Sequence, residues 1–462
     1  MRMQLQEVIQ ATGAETNGSA GRGVEISGVR TDSRQVRAGD LFVCLPGEHA
    51  DGHAFAEDAV RRGVAAVMAR QPLPEIAERV PVLRVEDCLI ALGDLGVRWR
   101  DRFGGTVVGI TGSAGKTSLK ELLAAILAQR ARTAKNYKNW NNRLGVPLSL
   151  LGFSGVEDYW VLEAGVNQAG EMDELARILR ADVALIHNIG PVHLEGLGGE
   201  DGVAREKSKL AAAVPDGGLV LVSADYPLLN KALPDRPNVR TERFSCARGE
   251  ARYTGEYMGR SGGVAKYRLD LDGTVLEVTP GLQAGYQLEN ILAAAAAAWE
   301  LGCTAGDIEA GLASAEMPEH RSQIFHTGGW TLIDDCYNAN PLSVRLALES
   351  ASDMGGYGTF VAFLGDMLEL GEASQAAHYE MGREAALEGV DHLLYSGGYI
   401  KDVERGYREA GGRDGPRPVE TSEELAAFCR GLEASGGTVL LKASRGCRLE
   451  RFLQVLHKEL GQ

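Results

Sequence analysis

The segment Gly109-Ile-Thr-Gly-Ser-Ala-Gly-Lys-Thr117 has the residue types and spacing to grip a phosphate. Read from Gly109 it misses G-x-x-x-x-G-K-[ST] by one residue. It lies between the apolar run TVVGIT and the helical pattern SLKELLAAILAQ, the strand–loop–helix setting that a phosphate loop requires. Gly112 and Gly115 let the backbone around Ser113 curl so that its N–H groups face a phosphate, and the helix N-terminus adds a favourable field. Lys116 is placed to reach the β- and γ-phosphates of ATP, and Thr117 to offer a hydroxyl to Mg²⁺. A plain Gly-rich turn with a solvated lysine is the competing reading, and the flanking strand and helix argue against it. The loop points to a nucleotide and not to a reaction, since GTPases, kinases and helicases share it.

A carboxylate stands at a matching place. Glu163 ends the apolar run YWVLE, and an acid at the end of a neighbouring strand is suited to holding Mg²⁺. The alternative is a glutamate that caps the next helix. A non-enzymatic scaffold gives no reason for Lys116, Thr117 and Glu163 in one α/β site.

Positioning these groups takes several units. The chain has 462 residues, enough for about two to four domains of ordinary size. Residues 1–100 alternate short apolar runs (DLFVCLP, AAVMA, VPVLRV) with Gly- and Asp-rich turns, as in a small α/β domain. Residues 101–320 carry buried-strand runs at TVVGIT, DYWVLEAG, DVALIHNIG and GLVLVSAD separated by helical patterns, a central parallel-sheet ATPase domain. Within it, residues 243–280 read as inserted antiparallel hairpins. The alanine run Ala293–Ala298 reads as a tightly packed helix ended by Gly302. Residues 321–462 repeat the alternation at WTLIDDCY, TFVAFLGD, VDHLLYSG and GTVLLKASRG, a C-terminal Rossmann-like domain.

Composition narrows the partners. A net charge of −15 argues against nucleic acid or an anionic membrane, both of which need a basic face. Neither a leader's apolar core nor a run near the ~18 apolar residues of a span is visible, so stable membrane insertion is not expected. The 7 cysteines are scattered without a C-x-x-C pair, which fits thiols in a reducing cytoplasm better than disulfides or zinc.

Several separate motifs resemble the Mur ligase family: TDSRQVRAGDLFVCLPGEHADGHAF (31–55), TGSAGKTSLKE (111–121), NYKNWNNRLGVPLSLL (136–151), LEAGVNQAGEM (162–172), HNIGPVHLEGLG (187–198), GYQLENILAA (285–294), DDCYNANPLS (334–343), LGDMLELGEASQAAH (364–378) and LKASRG (441–446). DxYNANP with GDMxELG favours the members that add D-alanyl-D-alanine to UDP-N-acetylmuramoyl-tripeptide over those that add other amino acids. The resemblance implies a cytoplasmic ATP- and Mg²⁺-dependent amide ligase, acting as a monomer, with a uridine-nucleotide domain, a central ATPase and a C-terminal domain.

Residue by residue, the resemblance implies a metal-site role for His193 and a carbamylated metal-binding lysine at Lys207. It makes Asn290 the adenine contact, Arg321 a phosphate contact and Asp335 a ribose contact. Thr31, Asp32, Ser33 and Arg34 with Asp51, Gly52 and His53 resemble the loops that bind the uridine-diphosphate end, and Asn141 and Asn142 the muropeptide contacts. Asn338, Ser444 and Arg445 are further substrate-binding candidates, with Asn338 and Asn340 equally readable as turn formers. Ser118 follows Thr117 where a second threonine is common. Ala443 replaces the glycine usual in LKASRG, which restricts the backbone before Ser444 and Arg445.

Overall fold

The computed structural model describes residues 1–16, 23–47, 50–247, 251–261, 264–281, 288–355, 358–432 and 436–461. Residues 48–49 of the first-domain motif, 248–250 and 262–263 of the expected hairpin region, and 285–287, which open GYQLENILAA, lie outside them. Sheets of five, nine and six strands each draw on a separate stretch of chain, beside a small pairing of Met3–Gln4 with Glu25–Ile26.

In the first sheet Gly28–Arg30, Asp40–Val43, Ala66–Ala69 and Val82–Arg84 run parallel, with Glu15–Thr16 antiparallel at one edge. Asp40–Val43 and Ala66–Ala69 are buried at every position, which is why they read as unbroken apolar runs. The helix Cys88–Arg100 joins this unit to the next through one core, in which Leu92 and Leu95 belong with Leu175 and Ile178. Buried Arg100 fixes the junction by donating to Leu179 O at 3.1 Å and Asp182 Oδ2 at 2.8 Å.

The nine-stranded sheet places Thr106–Thr111 between Tyr159–Glu163 and Val183–Ile186, all parallel. Glu163 pairs beside Ile110 and Ile186 beside Thr111, so three strand ends converge where the phosphate loop begins. The strands Tyr253–Ser261, Val264–Leu271 and Thr274–Val278 are antiparallel to one another, as the sequence suggests. They belong to the central sheet, which they extend: Tyr253 and Thr254 pair in parallel with Phe244 and Ser245. Alternate residues Tyr267, Leu269 and Leu271 are buried in one core with the alanines of the helix Leu288–Glu300. That helix ends at Gly302, whose φ of +81° suits glycine.

In the six-stranded sheet Trp330–Asp334, Gly437–Lys442, Thr359–Gly365 and His392–Ser396 are parallel neighbours, as the four apolar runs predict. An unexpected edge strand, Gln323–Thr327, pairs antiparallel with Trp330–Asp334. Its turn is Gly328-Gly329 with φ of +53° and +82°, and this Gly-Gly pair was the available hairpin signal. No disulfide is present among the described cysteines, and five of the 7 are buried. No helix among the described residues is long and apolar enough to cross a membrane.

Candidate functional site

The helix Lys116–Leu127 begins directly after the phosphate loop, and its first turn faces a cavity of about 410 Å³. Gly115 has a φ of +76°, and Gly112 packs so tightly on His187 that a Cβ there would lie 2.4 Å from the ring. The loop amides divide into two sets. Those of Ser113 and Ala114 donate to Asn188 Oδ1 at 2.8 and 2.9 Å, so they brace the loop. Those of Gly115, Lys116, Thr117 and Ser118 have no hydrogen-bond acceptor among the described residues. These four, at the positive end of the helix, are the amides suited to an anion. The Lys116 ammonium donates to Gly112 O at 2.9 Å. Burial lowers its pKa, partly opposed by Glu163.

Behind the lysine, Thr117 Oγ1 donates to Glu163 Oε2 at 2.8 Å, and Asn141 Nδ2 donates to Glu163 Oε1 at 2.6 Å. Glu163 is buried, and its hard oxygens with the threonine hydroxyl are the donor set Mg²⁺ prefers. His193, at φ +50°, lines the same cavity and pairs with Glu369 Oε2 at 2.7 Å across the central and C-terminal domains. Burial lowers its pKa, with Glu369 opposing. Lys207 projects from the helix Glu200–Ala212 and is only 1% exposed. No described residue forms a hydrogen bond or ion pair with its amine, and burial with Lys116 nearby drives its pKa far down.

The far wall comes from the C-terminal domain. The Arg321 guanidinium lies 4.0 Å from the Tyr337 ring centroid and Arg445 5.9 Å from it, and all three line the cavity. Asp335 accepts from Ser322 N at 3.1 Å and from the buried Lys442 ammonium at 2.5 Å. Asn338 lines the cavity, and its carbonyl also accepts from Lys442 at 3.1 Å. Asn340 caps the helix Pro341–Gly355 through Ser343 N at 2.9 Å, the turn-forming role. Ser444 lies behind the wall: its hydroxyl accepts from Leu368 N at 2.9 Å and donates to Ala339 O at 3.3 Å. The Ala443 methyl is accommodated because the facing residue is Gly365, whose Cβ would come within 2.8 Å of it.

A second cavity, of about 290 Å³, lies between the first two domains and includes Thr31, Asp32 and Trp140 in its lining. Asn139 and Asn142 line both cavities. Asn142 also caps the following turn through Gly145 N at 2.8 Å. Ser33, Arg34, Asp51 and His53 line neither. Ser33 is buried, and exposed Arg34 grips Asp32 through contacts of 2.8 to 3.2 Å. Asp51 accepts from His53 N at 3.0 Å, and the His53 ring joins Asp51 to Arg70 N.

Beside Lys442 in the far wall, the polar groups at the site that the sequence does not single out include Asn188, Glu289 and His187. Asn188 holds two loop amides and donates to Glu289 Oε2 at 3.1 Å. Glu289 also accepts from Tyr226 at 3.3 Å, and burial raises its pKa to about 8. His187 lies between the carbonyls of Thr111 and Ala114, and burial beside Lys116 holds it neutral with a pKa of about 3. These three adjoin informative sequence motifs: His187 and Asn188 open HNIGPVH, and Glu289 precedes Asn290. Asn290 packs against Gly115, where a Cβ would come 2.7 Å from its Oδ1.

Three family models match the chain in succession: "Mur ligase family, catalytic domain" over residues 25–100, "Mur ligase middle domain" over 110–298, and "Mur ligase, glutamate ligase domain" over 320–445. The UDP-N-acetylmuramoyl-tripeptide–D-alanyl-D-alanine ligase of Bacillus subtilis is 31% identical over 432 residues, 93% of each chain. Its Escherichia coli counterpart is 35% identical over 381 residues, 82% of each. The crystal structure of MurF from Acinetobacter baumannii superposes with a TM-score of 0.89 at 29% identity, covering 99% of both chains. MurF ligase from Thermotoga maritima, in complex with ADP, gives 0.81 at 28% identity, covering 94% of this chain and 97% of that one. With three domains in the same order and a likeness that runs nearly end to end, this chain belongs to the Mur ligase family.

Proposed function

We propose that this chain is an ATP-dependent amide ligase of the cytoplasm. It joins D-alanyl-D-alanine to UDP-N-acetylmuramoyl-tripeptide through an acyl phosphate, in peptidoglycan precursor synthesis. The observation that carries this reading is the shared wall of the two cavities. Asn139 and Asn142 face both the phosphate-loop cavity and the cleft beside Thr31 and Asp32, so a carboxylate arriving from that cleft meets the nucleotide's phosphates. Residues 1–100 are assigned to the uridine end, 101–320 to ATP, and 321–462 to the incoming amine.

A carboxylate is a poor acyl donor because oxide or hydroxide must leave. Phosphorylation by ATP replaces that leaving group with phosphate. The amides of Gly115–Ser118 hold the phosphate chain, and Lys116 with Arg321 from the opposite wall stabilises charge on the moving phosphoryl group. Asn290 is assigned to adenine and Asp335, oriented by Lys442, to the ribose. Asn141 and Asn142 orient the acyl group, and Tyr337, Asn338 and Arg445 the amine, which makes the reaction largely one of alignment.

Thr117 and Glu163 are assigned to Mg²⁺, with His193 and Lys207 as a second group of metal contacts. Bound Mg²⁺ supplies charge neutralisation at the phosphate oxygens. Lys207 fits this role only as a carbamate: its neutral amine adds CO₂, forming an N–C bond and releasing a proton, and gains anionic oxygens that suit Mg²⁺. Its burial without a partner among the described residues supports that assignment.

The test is phosphate release from ATP with each acceptor omitted in turn, together with mass spectrometry of the products. Phosphate release that needs both substrates, with formation of the UDP-muramoyl-pentapeptide, is expected. ATP turnover indifferent to both substrates, with no new amide, would sink the assignment.

A further inference from the structure

Lys120 is fully buried on the phosphate-loop helix, one turn after Lys116, and no step above uses it. Its ammonium donates to Asn136 O at 2.9 Å and Lys138 O at 2.7 Å, and pairs with Glu121 Oε1 at 3.2 Å. Three acceptors match the three N–H donors of an ammonium, so the group is satisfied only in this geometry. A surface lysine would have water for that purpose. This one is spent on the backbone of the loop that leads to Asn139, Asn141 and Asn142.

The loop's other anchors run to the strand that ends at Glu163 and to the chain just after it: Asn136 N donates to Val161 O at 3.4 Å, Asn136 Nδ2 to Glu163 O at 3.3 Å, and Gly165 N to Asn141 O at 2.8 Å. Asn136, itself buried, donates to Trp140 O at 2.8 Å and accepts from Glu163 N at 3.0 Å. Lys138 takes a left-handed φ of +46°, a conformation that a lysine keeps only when neighbouring contacts hold it. Beyond that residue the chain turns back so that Asn141 reaches Glu163 and Asn142 accepts from the amides of Leu144 and Gly145 in the following turn. One helix thus carries the phosphate lysine at its start and, one turn later, the cation that fixes the wall between the two cavities.

We infer that Lys120 is a positioning residue for acyl-phosphate formation, holding residues 136–142 so that the carboxylate admitted from the second cavity is aligned with the phosphoryl group in the first. This rests on the ligase reading of the two cavities. Lys120 touches neither substrate; it acts through the carbonyls of Asn136 and Lys138. Its loss therefore leaves the amides of Gly115–Ser118 and Lys116 in place, and with them nucleotide binding, while the acceptor wall loosens.

The experiment compares Lys120→Met with the wild-type full-length protein by calorimetric ADP binding, steady-state kinetics and amide hydrogen exchange. ADP affinity within about threefold of wild type is expected. So is faster exchange confined to residues 136–145, a raised KM for the UDP-muramoyl substrate, and a kcat lower by on the order of a hundredfold, the scale of a ~1 Å misplacement. Unchanged kinetics for the UDP-muramoyl substrate, or equal losses of ADP binding and acceptor binding, would overturn the role. Should Lys120→Met not fold, Lys120→Gln keeps amide donors at the site. A folded Lys120→Gln with the selective acceptor defect supports the inference, and failure of both to fold assigns Lys120 to stability instead. If wild type itself shows no acceptor-dependent turnover, the ligase reading fails first, which separates the two.

Discussion

Around the phosphate loop, polar side chains brace the backbone from behind and leave four amides and a lysine facing a cavity. In the first-domain loops the polar side chains close on one another and on a neighbouring turn: Arg34 on Asp32, Asp51 on His53, and His53 on the 70–71 turn. The first arrangement presents charge to a ligand, and the second spends its charges on shape. A reaction centre needs oriented groups at the point where charge develops, whereas a recognition loop needs only a fixed contour and a few backbone contacts.

The sharpest way to break this contrast is to remove the presented charge. Lys116→Ala should abolish measurable turnover with the fold intact, a loss of about 3 kcal/mol or more in transition-state stabilisation. Circular dichroism and single-turnover phosphate release check it. Retention of most of the kcat would mean that Lys116 is not the phosphate lysine.

Lys207 comes next, because it presents a charge only after modification. Lys207→Ala should lose most activity, and acetate should restore part of it by filling the ligand position. Lys207→Arg should be as poor as the alanine variant, since a guanidinium keeps positive charge and forms no carbamate. ¹³C-labelled CO₂ should give a carbamate resonance in wild type that both variants lack. Wild-type activity in Lys207→Arg defeats the assignment.

These contrasts explain what could be read in advance. The parallel strands were legible because burial on both faces leaves unbroken apolar runs, as at Asp40–Val43 and Leu219–Ser223. Lys116, Thr117 and Glu163 were legible because a strand–loop–helix fixes where each must stand. The edge strand Gln323–Thr327 was not, since its residues are only half buried or exposed and lack an apolar run. Asn188, Glu289 and Lys442 were missed for another reason. Each acts on a segment distant in sequence, 75 residues for Asn188 and Ser113 and 107 for Lys442 and Asp335, so no local spacing announces the contact.

Glu289 allows a smaller test, directed at the bracing behind the loop. Burial is the main cause that raises its pKa from 4.5 to about 8, so the folded protein holds a proton that the unfolded chain releases. Stability from this group is therefore fully present below about pH 4.5 and is lost as pH rises towards about 8. Glu289→Gln cannot ionise and keeps an acceptor for Asn188. Its stability advantage over wild type should grow with pH across that window, by up to about 1.4 kcal/mol per pH unit. Urea midpoints at about pH 5 and about pH 8 measure it. An equal gap at both would show that Glu289 does not change protonation on folding.

The smallest effects separate contour from contact in the first domain. His53 is nearly buried, and its ring receives Arg70 N at 3.1 Å, so His53→Ala leaves that amide without its acceptor and should cost about 1–3 kcal/mol of stability. Arg34 is 83% exposed and holds only Asp32, so Arg34→Ala should change stability by no more than about 0.5 kcal/mol. In binding, the two variants should differ from Lys116→Ala in the same sense. Each should raise KM for the UDP-muramoyl substrate more than it lowers kcat, because contour contributes equally to ground and transition states. Arg34→Ala acts by releasing the Asp32 carboxylate, which lines the second cavity, and His53→Ala by loosening the loop that carries Asp51. A pure kcat defect in both variants would place the first-domain loops in the chemistry and erase the distinction between the two regions. A His53→Ala protein as stable as wild type would show that the ring does not hold its loop, and would return that side chain to the candidates for direct ligand contact.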